Sequence, residues 1–153
     1  MPTRDQERGA PRDLTSLLDE LVRRWKEQEA EPRPGNSKDA IRAFEQREGV
    51  TLPDDLARYF ETVDGMGHMD EEMFCFWPLE KVERAKAEPH GYEADPVGYF
   101  LFADFMLYAH AYAVRLHGGA PGEVAALYGK PTPVASSFTE FLEKYLRDPD
   151  SVL

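Results

Sequence analysis

The chain reads as α+β: N-terminal helices packed with a small, mainly antiparallel sheet and a closing C-terminal helix. Three observations carry this reading. Apolar residues recur at helical spacing in the first 65 residues, short aromatic runs separated by Gly/Pro turns occupy residues 73–128, and a capped amphipathic stretch follows Ser137. At 153 residues the length suits one domain, and 42% apolar with 12% aromatic content suffices for a real core.

Residues 1–12 are polar with Pro2, Gly9 and Pro11 and read as a disordered tail, leaving 13–153 as the domain. Leu14, Leu17, Leu18, Leu21, Val22 and Trp25 form the first stripe, with Asp13 as its N-cap. Residues 29–35 carry Pro32 and Pro34, which cannot continue a helix, and read as a linker. Ser37 caps a second helix bearing Ile41 and Phe44, and Gly49 supplies its left-handed stop. Pro53 suits the first position of a third helix with Leu56, Tyr59, Phe60 and Val63, ended by Asp64-Gly65.

Strands are expected at 73–77, 99–103, 112–116 and 124–128, with a short charged helix from Leu79 to Ala87 and loop over 88–97. Residues 105–110 fit either more strand or helix. Ser137 and Glu140 form a capping box for the last helix, whose face is Phe138, Phe141, Leu142 and Tyr145. The expected core joins Ile41, Phe44, Leu52, Leu56, Phe60, Phe100, Phe102, Val114, Phe138 and Phe141.

Charge narrows the function classes. Eighteen Lys and Arg stand against 29 Asp and Glu, a net charge of −11. Duplex nucleic acid is disfavoured as a direct ligand, because phosphate binding relies on basic side chains, and anionic membrane surfaces are disfavoured likewise. Between Glu61 and Asp95 ten acids face only Lys81, Arg84 and Lys86. Such a field keeps a protein soluble and steers basic partners toward it. The longest uncharged apolar stretch, Phe105 to Val114, is far short of the roughly 20 residues a membrane span needs. The first thirteen residues lack the apolar region of a secretory signal, and the single cysteine, Cys75, forms no internal disulfide. A reducing cytosol is the expected compartment.

No catalytic motif emerges. The four histidines, at 68, 90, 110 and 117, show no i, i+4 metal spacing, and Cys75 has no CxxC partner. His68 with Asp70, Glu71 and Glu72 is the best local cluster for a divalent cation. It lacks a second ligand segment, so a hydrated acidic loop is the favoured reading. Gly122 to Gly129-Lys130 fails as a phosphate loop, with the glycines seven apart and Pro131 where Ser or Thr is needed. Gly65-Met66-Gly67 lacks a third glycine, and there is no GxSxG elbow. No cofactor is expected. The hairpin of helices over 37–65 is not a DNA reader either, since its second helix carries Asp54, Asp55 and Glu61 against Arg58 alone.

Taken in order, Pro34-Gly35-Asn36-Ser37, Ile41, Phe44-Glu45, Gly49-Val50-x-Leu52-Pro53-x-x-Leu56 and Asp64-Gly65 resemble the opening signature of the SUKH superfamily. Phe76-Trp77-Pro78-Leu79, Phe100-Leu101-Phe102-Ala103-Asp104, Tyr112-Ala113-Val114 and Ala135-Ser136-Ser137-Phe138-x-x-Phe141-Leu142 resemble its later segments. The resemblance covers about residues 34–147 as a shared core and leaves the 13–29 helix outside it. Asp64-Gly65 stands where Asn-Gly is more usual, and either pair takes the positive φ required.

That superfamily includes yeast cell-wall and glucan-synthesis regulators and many bacterial immunity proteins. The resemblance implies a non-enzymatic, cytoplasmic protein-binding module, most simply an immunity protein that occludes a cognate, nuclease-type toxin with a basic surface. It also implies an alternative, a regulatory scaffold for a non-toxin protein. A small metal-dependent hydrolase using His68 and nearby acids is the remote third reading. A monomer or weak dimer is expected. The partner surface is expected at Met66, Met69, Asp70, Glu71 and Glu72, with Glu93 and Asp95 adjoining, because loops carry specificity and methionines mixed with acids suit a basic patch.

Overall fold

The helical stripes fold as their spacing dictates. In the computed structural model, which describes residues 13–86, 98–118, 121–128 and 130–153, helix α1 (Leu14–Glu27) buries Leu17, Leu18, Leu21 and Trp25 on one face. Asp13 precedes it in extended conformation without a side-chain capping bond. Helix α2 (Lys38–Glu48) starts with the Ser37 hydroxyl accepting from the Ala40 amide and stops at Gly49, φ +68°. Helix α3 (Asp54–Thr62) begins one residue after Pro53, which occupies the cap position instead of the first turn. Helix α4 (Phe138–Arg147) is capped by Ser137, which accepts from the Glu140 amide. The Glu140 carboxylate returns to the Ser136 amide, one residue earlier than a capping box requires.

Strands form at four places where none was expected, two of them in a small separate sheet. Residues inside the 29–35 linker form β1 (Pro32–Pro34), which pairs antiparallel with β2 (Val63–Met66), the segment read as the end of a helix. The second sheet holds β3 (Phe74–Phe76), β4 (Glu83–Arg84), β5 (Tyr99–Phe105), β6 (His110–Arg115), β7 (Val124–Tyr128) and β8 (Lys130–Ala135). Its order is β3-β5-β6-β7-β8, all antiparallel, with β4 also on β5. Strand β3 covers the Ala103–Phe105 end of β5 and β4 covers Phe100–Leu101. The expected helix from Leu79 to Ala87 is therefore corrected. Only Leu79–Lys81 makes a 3₁₀ turn, and pairing with β5 claims the next residues. Strand β8 contains Pro131 and Pro133 and lies at the sheet edge, where a missing N–H leaves no inner bond unmade.

All ten expected core residues are buried in one apolar cluster between the helices and one sheet face. Phe102 meets Phe76, Phe138 and Phe141 edge to face, with ring centroids 6.1, 5.6 and 5.5 Å apart. The opposite face carries a second buried cluster with Trp77, Tyr99, Leu101, Ala113, Ala125 and Leu127. Burial on both faces explains why Tyr99–Ala103 is continuously apolar instead of alternating.

The short polar and glycine motifs act as ties between these elements. A Cβ on Gly35 would sit 1.9 Å from the Glu61 carbonyl oxygen, so only glycine fits there. Next to it, the Asn36 amide donates to the Phe60 carbonyl at 2.7 Å and its side chain to Asp64 Oδ1 at 2.8 Å. The same Asp64 oxygen accepts the Leu79 amide at 2.7 Å, linking the end of α3 to the 3₁₀ turn. Gly65 adopts φ +70° with the Phe76 carbonyl oxygen 2.6 Å from where a Cβ would stand.

Candidate functional site

Between β2 and β3 the chain makes the acidic loop 67–73, and it is held from several sides. The Gly67 and His68 amides donate to backbone carbonyls of Ala30 and Glu31. Glu71 N donates to the Gln28 side chain at 3.0 Å, joining the loop to the end of α1. His68 Nε2 lies 3.3 Å from Glu31 Oε2 on the surface and does not join the acids at 70–72. Among the described residues no three His, Cys, Asp or Glu side chains gather into a metal-binding set.

Asp70 organises the loop from inside. Its side chain is 6% exposed. One carboxylate oxygen accepts the Glu72 and Phe74 amides, each at 2.9 Å, and the other accepts the Tyr145 hydroxyl. Tyr145 in turn accepts from Trp25 Nε1 at 3.0 Å. Burial, opposed by these hydrogen bonds, raises the Asp70 carboxyl above the ordinary carboxylate range. Burial beside Asp70 pushes the Tyr145 hydroxyl far up, so it stays a donor at every accessible pH. The network thus ties α1, the loop and α4 together through three buried polar groups.

The expected partner residues divide accordingly. Met66 is 2% exposed and belongs to the apolar core, and Asp70 is buried, so neither side chain offers a surface. Met69, Glu71 and Glu72 are exposed, with Met73 beside them in the same loop. Glu93 and Asp95 lie outside the described residues. Cys75 is half-buried, and burial first, then the Asp104 charge, raises its thiol above the ordinary range, the reverse of an activated nucleophile.

Sequence reasoning missed the neighbouring turn between β5 and β6. Met106 N donates to the Met73 carbonyl at 3.0 Å, so the turn adjoins the acidic loop. Met106, Leu107 and Tyr108 are all exposed. The signal was present in the sequence as an apolar stretch between two strands, where a hairpin turn normally carries Gly, Asn or Asp. Elsewhere, a shallow groove lined by Arg42, Glu45, Gly49, Leu116 and His117 lies beside the end of α2. Glu45 there is engaged with the Leu52 amide at 2.7 Å, a structural bond.

Two comparisons bear on these features. The family model described as the SMI1 / KNR4 family (SUKH-1) matches residues 35–144. No curated protein matches the chain. The matched span contains the Gly35, Asn36, Asp64 and Gly65 ties. Trp25, Gln28 and Ala30, which support the acidic loop, lie N-terminal to the span, and Tyr145 lies just after it. No helix among the described residues is long and apolar enough to cross a membrane.

Proposed function

Because the chain belongs to the SMI1 / KNR4 family (SUKH-1), we propose that it is a protein-binding module acting as an immunity protein, which neutralises a cognate toxin in the cytosol by occlusion. Bacterial members of the wider superfamily are the basis for the toxin, and the chain's own charge is the basis for the toxin's chemistry. The observation that carries the reading is the exposed pair Glu71 and Glu72 on a loop fixed by buried Asp70. A rigid acidic loop on a chain of net charge −11 favours a basic protein face, such as the one a nuclease turns toward its polyanionic substrate.

The proposed activity is binding alone. No residue is assigned a catalytic role and no cofactor is invoked. Fixed loop geometry reduces the ordering entropy that association must overcome, so the support of Asp70 from below serves affinity without touching the partner.

The test is kinetic and uses the protein encoded beside this chain's own gene. Association with the wild-type chain should be fast at low salt and slow steeply as salt rises. The double variant Glu71→Lys, Glu72→Lys should associate about tenfold more slowly at low salt and show a flatter salt dependence, with a much smaller change in dissociation. Unchanged association by a folded double variant would move the interface away from this loop.

A further inference from the structure

Six large apolar side chains among the described residues are exposed: Met69, Met73, Met106, Leu107, Tyr108 and the terminal Leu153. Five of these belong to the two segments that the Met106–Met73 backbone bond joins. Leu107 is 73% exposed, Tyr108 58% and Met106 47%, so the turn stands well out of the surface. Isolated exposed apolar residues are ordinary, but five in adjacent segments make a patch.

The turn is also conformationally unusual. Met106, Leu107 and Tyr108 take φ values of +50°, +52° and +73°, and Met73 takes +71°. Side chains rarely adopt that region, and hairpins ordinarily place Gly or Asn there. Neighbouring contacts hold the conformation. The Tyr108 ring lies 5.9 Å from the Trp77 ring, and the Lys81 ammonium sits 4.4 Å from the Trp77 centroid and 5.6 Å from that of Tyr108. Trp77 is fixed by its indole N–H, 2.7 Å from Asp104 Oδ2. Strain retained at an exposed apolar position points to use, since glycine in place of the mostly exposed Leu107 would remove it with little loss of packing.

We infer that Leu107, with Met106, Tyr108 and Met73, is the apolar anchor of the partner interface, and that its occupant is a basic protein face with an apolar pocket. This rests on the protein-binding reading above and assigns the site that reading leaves open. Charge complementarity identifies the occupant. The exposed acids Glu71 and Glu72 flank the patch, and Gln28, which holds that loop, lies between exposed Glu27 and Glu29. Carboxylates on the acidic-loop side of this apolar centre, on a chain of net charge −11, disfavour a second copy and attract a cationic surface, while Lys81 packs on the Trp77 side. The division of labour is the usual one: rim charges set association and the buried anchor sets residence time.

The decisive variant is Leu107→Asp, which alters a mostly exposed side chain and leaves the core untouched, with Leu107→Ala as its milder companion. Both should unfold within a few degrees of wild type. Against the protein encoded by the adjacent gene, Leu107→Asp should speed dissociation at least a hundredfold and Leu107→Ala about tenfold, with association changed less than threefold. Dissociation unchanged within twofold in both folded variants overturns the inference. If that protein fails to bind the wild-type chain, the toxin reading falls separately. The patch is then read with a phage-displayed library of random dodecapeptides selected on the wild-type chain. Enriched peptides pairing Arg or Lys with a large apolar residue, and lost on Leu107→Asp, uphold the anchor. Peptides that bind Leu107→Asp equally well, or no enrichment, overturn it. So does a wild-type dimer in sedimentation that Leu107→Asp dissociates, since the occupant is then a second copy.

Discussion

Replacing Asp70 with Ala tests the framework under the acidic loop. The change removes the acceptor for three donors: the amides of Glu72 and Phe74 and the Tyr145 hydroxyl. The Glu72 amide lies near the surface, where water replaces the carboxylate. Phe74 N and Tyr145 Oη are buried, and an unsatisfied buried donor costs about 1–3 kcal/mol. Two such groups give a gross loss of about 2–6 kcal/mol. Relief from burying a carboxyl whose ionised form is disfavoured offsets part of it, leaving about 2–4 kcal/mol. Urea unfolding followed by tryptophan fluorescence measures this directly, because Trp25 donates into the same network. Asp70→Asn should fall between the two, as its amide oxygen still accepts from both backbone amides. A loss under about 0.5 kcal/mol for Asp70→Ala, the range of an ordinary surface change, would refute the reasoning. The pH dependence has a definite sign. With the folded value raised above 3.8, the folded state holds the Asp70 proton more tightly. Its contribution is fully present below 3.8 and is lost as pH rises through the raised folded value. Wild type should therefore gain on Asp70→Asn as pH falls through the window just above 3.8.

Two further predictions concern the fold. Phe141→Ala should cost about 3–5 kcal/mol, since the ring is fully buried among Phe76, Phe102 and Tyr112, and denaturant unfolding measures it. Gly49→Ala and Gly65→Ala separate conformational strain from crowding. Both glycines have φ near +70°, but nothing stands within 4 Å of a Cβ on Gly49, so its loss should be about 1–2 kcal/mol. Gly65→Ala adds a clash with backbone at 2.6 Å and should cost clearly more in the same melts.

Local physics explains which parts of the fold were readable. Helical stripes, the Ser37 and Ser137 caps and the Gly49 stop are decided within a few residues, and each appears where its residues place it. The strands β1 and β4 depend on partners distant in sequence, whereas β8 pairs with β7 just before it and was obscured by Pro131 and Pro133. Pro32 and Pro34 read as punctuation until β2 supplies a partner, and the helix-favouring run after Leu79 yields to pairing with β5. In the candidate site, charge alone marked the 69–72 loop but could not tell Asp70 from its neighbours. What turns that carboxylate inward is Tyr145, 75 residues away. The exposed turn at 106–108 escaped because apolar residues were read as strand or helix, and only the backbone shows them in left-handed conformation.

The central claim is occlusion of a protein partner without catalysis. Titrating this chain against the toxic activity of the protein encoded beside its gene tests it most directly, with the partner's mass measured before and after. Inhibition should rise linearly and reach completion at one equivalent, with the partner's mass unchanged and activity restored when the complex is dissociated. Complete inhibition at a small fraction of an equivalent, or a lasting change in the partner's mass, would contradict the account, because only turnover produces either result.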